Sequence, residues 1–312
     1  MMRFNFSSLV SRSRGLAGVV LLSVLAACGG GGGGGGTTPP PDGGGTNPPP
    51  QNPPAASTSY KAESEAVDRA ALRQQLNEQG ALGFNFFGPN TLGTATFNFY
   101  AKDSNTTFAA EIFDIPTTRP DLLTQLNTQG ANGFLYWGPE TLGSIYIKES
   151  DGATFTYRVL DAKNTTNDFL TQLNAQGAEG FLYIGPSFGD MYAKSSIGNT
   201  KYDYRVIATP ASNADRLTQA NAQGQEGYKF SGPSGFGDLY VRDSSQSSKF
   251  EWKANPEVRT QSELLTQANA EGTAGYVYWF SIGSSLGQSD AKEFYFKPNA
   301  CTGPLCRSTS PL

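Results

Sequence analysis

The chain has 312 residues, with 23 basic against 27 acidic side chains, a formal charge of −4 and no histidine. Lack of histidine removes the commonest general base, the Ser-His and Cys-His nucleophile pairs and the most frequent transition-metal ligand. The acidic balance argues against nucleic acid as a partner, and no residue spacing calls for a metal or a cofactor.

In chain order, Arg3, Arg12 and Arg14 form a basic front to an uncharged apolar run from Gly15 to Ala27. That run is short for a bilayer span and reads as an export signal over residues 1–27. It ends Leu25-Ala26-Ala27-Cys28, which resembles the lipobox of bacterial lipoproteins, where the cysteine becomes the acylated first residue of the mature chain. The resemblance implies a membrane-lipid partner through acylated Cys28. Gly29 in place of aspartate implies the outer membrane, by likeness to the sorting rule of enteric bacteria, with its face left open. Each buried methylene contributes about 0.8 kcal/mol, so several acyl chains attach lastingly where one is marginal. Residues 28–57 read as a tether, with Gly29 to Gly36 as flexible coil and the proline-rich part as stiffer polyproline II. Coil scaling gives it a span of roughly 30 Å, and full extension about 100 Å. Cleavage before Cys28 would leave 20 basic against 27 acidic residues.

A phrase Leu-Asn-x-Gln-Gly-x-x-Gly-aromatic-x-aromatic then returns five times. Its first glycines are Gly80, Gly130, Gly177, Gly224 and Gly272, spaced by 50, 47, 47 and 48 residues; its second are Gly83, Gly133, Gly180, Gly227 and Gly275. Such periods mark arrays, propellers or solenoids. In the third copy, Phe155 to Asp161 alternates like a strand, Thr165 to Asp168 offers an N-cap, and Phe169 to Leu173 has helical spacing. Gly177 is expected to end that helix as a left-handed cap residue. Strands at Gly180–Ile184 and Asp190–Lys194 complete a β-α-β-β unit. The fifth helix opens on Thr260-Gln-Ser-Glu263, which fits a capping box.

The fold class expected is therefore α+β: five tandem β-α-β-β units, roughly 58–106, 107–153, 154–200, 201–248 and 249–298, followed by a tail over 299–312. One unit is too small to bury much surface, so the units must cooperate. The polar turns between units read as hairpins. An unpaired first strand near Tyr60 and an unpaired last strand at Glu293–Phe296 could pair and shut a five-bladed ring, removing exposed edges. An open row of units stays the alternative.

The helix-to-strand phrase, as in Leu173-Asn174-Ala-Gln-Gly177-Ala-Glu-Gly180-Phe181, resembles a small bacterial family of single β-α-β-β units with no assigned function. The resemblance covers most of residues 58–298. Where that family has tryptophan this chain has Phe84, Phe134, Phe181, Tyr228 and Tyr276, and leucine gives way to Ala220 and Ala268. It implies a fold and no activity. The five-fold arrangement also resembles the pentein enzymes, whose cysteine and histidine chemistry has no counterpart here.

No catalytic residue emerges. Asp190 and Asp238, like Glu179 and Glu226, could serve a carboxylate-only glycan hydrolase, but they occupy equivalent repeat positions, and a catalytic pair should break the repeat. Strand alternation places Phe87, Trp137, Ile184 and Trp279 on one sheet face, with Ser231 as their fourth-unit equivalent. That face is either buried between units or an exposed surface for a glycan or envelope-protein ligand. Cys301 and Cys306, flanking Gly303-Pro304, read as a disulfide that staples the tail and not the core. The chain is thus expected to be a non-enzymatic, envelope-anchored lipoprotein acting as a binding or adhesion module. A spacer or scaffold is the alternative, and the hydrolase a remote one.

Overall fold

The computed structural model describes residues 57–283 and 290–307; the expected export signal, Cys28, the expected tether up to residue 56 and the last five residues lie outside them. The first unit comprises β1 (Ser59–Ser64), α1 (Arg69–Ala81), β2 (Asn85–Leu92) and β3 (Ala95–Lys102). The second comprises β4 (Phe108–Phe113), α2 (Arg119–Ala131), β5 (Leu135–Glu140) and β6 (Gly143–Glu149). The third comprises β7 (Phe155–Leu160), α3 (Thr166–Ala178), β8 (Leu182–Pro186) and β9 (Asp190–Ser195). The fourth comprises β10 (Tyr202–Ile207), α4 (Asn213–Gln225), β11 (Lys229–Ser234) and β12 (Gly237–Asp243). The fifth comprises β13 (Lys249–Pro256), α5 (Gln261–Thr273), β14 (Val277–Ile282) and β15 (Lys292–Asn299). The chain is α+β, built of five tandem β-α-β-β units. Each unit holds one antiparallel three-stranded sheet in the order first, third, second strand.

Local chemistry sets the helix limits. Asp68, Thr118, Thr165, Ser212 and Thr260 cap the five N-termini, each side chain accepting from a backbone N–H three residues on. Thr260 and Glu263 form the full capping box. At the other end, the N–H of Gly180 reaches the carbonyl of Gly177 (2.9 Å) and that of Phe181 reaches Gln176 (3.0 Å). This is a Schellman motif, and its left-handed residue is the second glycine of the phrase: Gly83, Gly133, Gly180, Gly227 and Gly275 have φ of 84–88°. The expected cap role of Gly177 is thereby corrected. The first glycines lie within the last helical turn and serve a close approach. A Cβ on Gly80, Gly130, Gly177, Gly224 or Gly272 would fall 1.9–2.3 Å from a carbonyl oxygen of the following unit's first strand or the residue before it.

That approach defines the architecture, because each helix packs on the first strand of the next unit as well as on its own sheet. Leu72 and Leu76 of α1 share a buried cluster with Phe86 and Tyr100 of their own unit and with Ile112, Ile145 and Ile147 of the second. Leu122 and Leu126 join Tyr136 and Tyr146 to Val159 and Met191 of the third. Leu264 and Ala268 of α5 join Tyr278 and Tyr295 to Tyr60, Phe97 and Phe99 of the first unit. The succession of sheet, helix and sheet therefore closes on itself.

Two expectations are corrected. The cycle does not close by pairing of its terminal strands: β1 pairs with β3 and β15 with β13 and β14, and closure comes from α5 seated on β1. The turns between units are not hairpins either, since β3 and β4 belong to separate sheets, as do the strands flanking the other three junctions. Each third strand is central in its sheet, with both edges paired to the first and second strands of its own unit, so no edge is left for the next unit's first strand.

Substituting Gly177 by alanine should lower stability by about 1–3 kcal/mol through overpacking against the Tyr202 carbonyl. Gly235, whose Cβ would meet nothing within 4 Å, should tolerate alanine within about 0.5 kcal/mol. Urea-unfolding midpoints of the two variants check the contrast.

Candidate functional site

Two amide side chains recur in every helix. Asn77, Asn127, Asn174, Asn221 and Asn269 accept through Oδ1 from the backbone N–H of Ala110, Tyr157, Tyr204, Trp252 and Tyr60, at 2.8–3.0 Å. At three junctions the same amide also donates back to the carbonyl of that residue, from Asn77 (2.9 Å), Asn221 (3.0 Å) and Asn269 (3.2 Å). The first strand is an edge strand, so the asparagine satisfies polar groups that would otherwise invite another chain. Two residues earlier stand Gln75, Gln125, Gln172, Gln219 and Gln267. They bond the hydroxyls of Tyr100, Tyr146, Tyr192, Tyr240 and Tyr295 on the third strand of their own sheet, at 2.8–3.2 Å. Burial pushes these five phenols up, which keeps them protonated. The glutamine recurs as regularly as the asparagine, but by sequence alone a polar helix position reads as solvated, and only the fold shows its tyrosine partner.

Between neighbouring units a second set of bonds crosses. The hydroxyls of Tyr60, Tyr157 and Tyr204 accept from the backbone N–H of Tyr278, Tyr136 and Tyr183 at 2.6–2.8 Å. The second unit has Ala110 at this place. There Trp137 fills the space and donates its indole N–H to the Phe86 carbonyl at 3.1 Å.

Phe87, Trp137, Ile184 and Trp279 are 0–6% exposed. They do not form a recognition surface, and that half of the expectation is corrected. Alternation fails at these residues because each is the extra residue of a bulge: the register slips between Phe86 and Gly88, Tyr136 and Gly138, Tyr183 and Gly185, Phe230 and Gly232, and Tyr278 and Phe280. Ile184 packs with α2, and Phe87 with α5. Lys229, also buried, places its ammonium 4.0 Å from the Trp279 ring and 4.1 Å from Phe296.

The third-strand residues two positions before the glutamine-bonded tyrosines form a further equivalent set, all buried: Asn98, Ser144, Asp190, Asp238 and Glu293. Each carboxylate is taken up locally. Asp190 accepts from Gln172 at 2.8 Å, Asp238 from Arg216 at 2.8 Å, and Glu293 from the Tyr278 hydroxyl at 3.0 Å. Burial raises Asp190 and Asp238, opposed by these partners, and raises Glu293 to about 7. Glu140, half-buried, is likewise raised to about 7 by burial. Asp190 and Asp238 thus answer to separate helices and are not joined as a pair. Glu179 and Glu226 are exposed and ion-paired with Arg158 (2.8 Å) and Arg205 (2.7 Å) of their own units. Among the described residues, no group of three or more acidic, cysteine or histidine side chains could hold a metal ion.

The tail is better integrated than expected. Cys301 and Cys306 lie at disulfide distance, with Cα atoms 5.5 Å apart. Leu305 between them is buried in the cluster shared by the third, fourth and fifth units. Thr302 exchanges hydrogen bonds with Gln246 (2.8 and 2.6 Å), and Arg307 reaches Glu149 and the Thr106 hydroxyl. Open surface clefts of about 190 and 420 Å³ lie beside this end of the units, lined by backbone turns and polar side chains such as Lys194, Asn199 and Lys148. Among the described residues Val67, Leu82, Ile115, Phe188 and Ile197 are the exposed large hydrophobics, and Phe188 is the aromatic one. Phe188, at the tip of the β8–β9 turn, is 49% exposed with a left-handed φ of 52°, whereas Leu92, Leu142 and Phe236 at comparable tips fold onto neighbouring clusters.

Comparison with protein-family models, with curated proteins and with solved structures finds no match.

Trp137, Trp252 and Trp279 are all buried, so acrylamide should quench the native protein far less than the urea-unfolded chain. A pH effect follows from Glu293, whose folded value near 7 lies above the ordinary 4.5. Between those values the native state holds a proton that the unfolded chain has lost, so stability falls as pH rises from about 4.5 to about 7. Glu293→Gln should remove most of that group's slope, up to about 3 kcal/mol across the interval. Urea titrations at several pH values measure it.

Proposed function

We propose that the chain is a non-enzymatic lipoprotein of the bacterial cell envelope. The lipobox-like Leu25-Ala26-Ala27-Cys28, the acylated cysteine it implies and the Gly/Pro tether support attachment to membrane lipid, most simply at the outer membrane. The folded part works as a rigid spacer or scaffold. One observation carries this reading: the aromatic residues best suited to recognition, and the amides that repeat in every unit, are consumed by contacts within and between units. A group that holds the fold together is not free to turn towards a ligand. Separate engagement of Asp190 and Asp238 speaks against paired-carboxylate hydrolysis.

A binding or adhesion role is the second reading, favoured by one feature. Phe188 stands out from the surface on a left-handed residue, a conformation that non-glycine residues keep only at a cost. A glycan or envelope protein would stack on it.

The two readings separate in the cell. Replacing residues 58–312 by an unrelated rigid domain of similar size, on the same signal and tether, should restore a deletion phenotype if the role is spacing. Loss of function in that chimera, together with loss in Phe188→Ser, would transfer the weight to binding. Cys28→Ser should abolish acyl labelling and release the chain from the membrane fraction, and retention of both would overturn the anchoring.

A further inference from the structure

Four of the five junctions between units are continuous in the chain, whereas the junction of the fifth unit with the first is not. It uses the same parts nonetheless. Asn269 accepts from the Tyr60 N–H at 2.8 Å and donates to its carbonyl at 3.2 Å. The Tyr60 hydroxyl accepts from the Tyr278 N–H at 2.6 Å, as Tyr157 and Tyr204 do from Tyr136 and Tyr183. Gly272 lets the Thr58 carbonyl approach, as Gly177 does for Tyr202. Thr58 adds a backbone bond of 3.1 Å to the Gly272 carbonyl.

We propose that this unlinked seam is an exchangeable interface whose second partner is another copy of the same chain. An opened chain exposes the α5 face at one end and the bare edge of β1 at the other. These two surfaces are complementary and different, so copies join head to tail, fifth unit to first. An unpaired β1 edge is also the feature by which a strand recruits another chain. The dimer contains the same two seams as two closed monomers, and no new contact chemistry is needed. Closure within one chain prevails in dilute solution because its effective concentration is of millimolar order. The C-terminal strap acts on the same balance, since it ties the exit of the fifth unit to Gln246, to Glu149 and to Thr106 in the turn between β3 and β4.

The test uses two full-length variants that each spoil one half of the seam. Gly272→Leu drives a side chain into the Thr58 carbonyl, 1.9 Å from where its Cβ would stand, and leaves β1 intact. Tyr60→Pro removes the N–H that Asn269 accepts and the hydroxyl that caps Tyr278, and leaves α5 intact. Neither variant can close on itself or pair with its own kind. Mixed, they should form a 1:1 dimer with twice the mass by light scattering, through the β1 edge of one and the α5 face of the other. A mixture that stays monomeric, with both variants keeping the native circular dichroism, overturns the proposal. Should either variant fail to fold, hydrogen exchange on the unaltered chain decides. The Tyr60 amide should then exchange about tenfold or more faster than the equivalent amides of Tyr157, Tyr204 and Trp252, because its junction opens without unfolding the units. Equal protection at all four overturns the proposal.

Discussion

The structure depends on two amide side chains placed two residues apart on each helix. Two residues of an α-helix turn by about 200°, so the glutamine and the asparagine leave opposite sides of the cylinder. The glutamine is fixed to the buried tyrosine of its own sheet, and the asparagine to the edge of the next sheet's first strand. A helix held this way on both sides cannot belong to one unit. The Schellman glycine then turns the chain back into the unit's own sheet, while the glycine three residues earlier lets the neighbouring backbone come within van der Waals contact.

This arrangement explains why the hydrophobic residues are where they are. Every apolar cluster contains side chains of at least two units, so the core is made at the junctions and not inside the units. A single unit of under fifty residues would expose one side of its helix and one face of its sheet, too little burial to offset chain entropy. Size is traded across the junctions as well. Ala220 shares its cluster with Trp252, while Leu76 is accompanied by Ala110, with Trp137 filling the remainder. Buried charge follows the same economy. Asp238 finds Arg216 and Glu293 finds the Tyr278 hydroxyl close at hand, as groups removed from water require a partner.

Much of the local structure was readable directly. The capping box at Thr260, the three-turn helices and the strand-turn-strand after each second glycine follow from residue chemistry within a few positions. The bulge was not readable: Tyr136-Trp137-Gly138 looks like plain alternation, and only the pairing with β6 shows that Trp137 is the supernumerary residue. Its side chain therefore joins the layer against the first unit instead of facing solvent. Gly177 and Gly180 are equally indistinguishable as letters. One answers a dihedral requirement of its own backbone, and the other answers a carbonyl contributed by a strand some twenty-five residues further on.

The sequence by itself determined the number of units, their composition as one helix and three strands, and the absence of histidine chemistry, because periodicity, caps and composition are local properties. Tertiary structure decided that the strands pair within each unit, that the helices bridge between units, and that α5 closes the cycle on β1. Those outcomes turn on which surface a helix covers, and the energy of covering it is shared between residues as far apart as Tyr60 and Asn269. No local pattern carries that information, since the same asparagine and the same tyrosine would read identically in an open row.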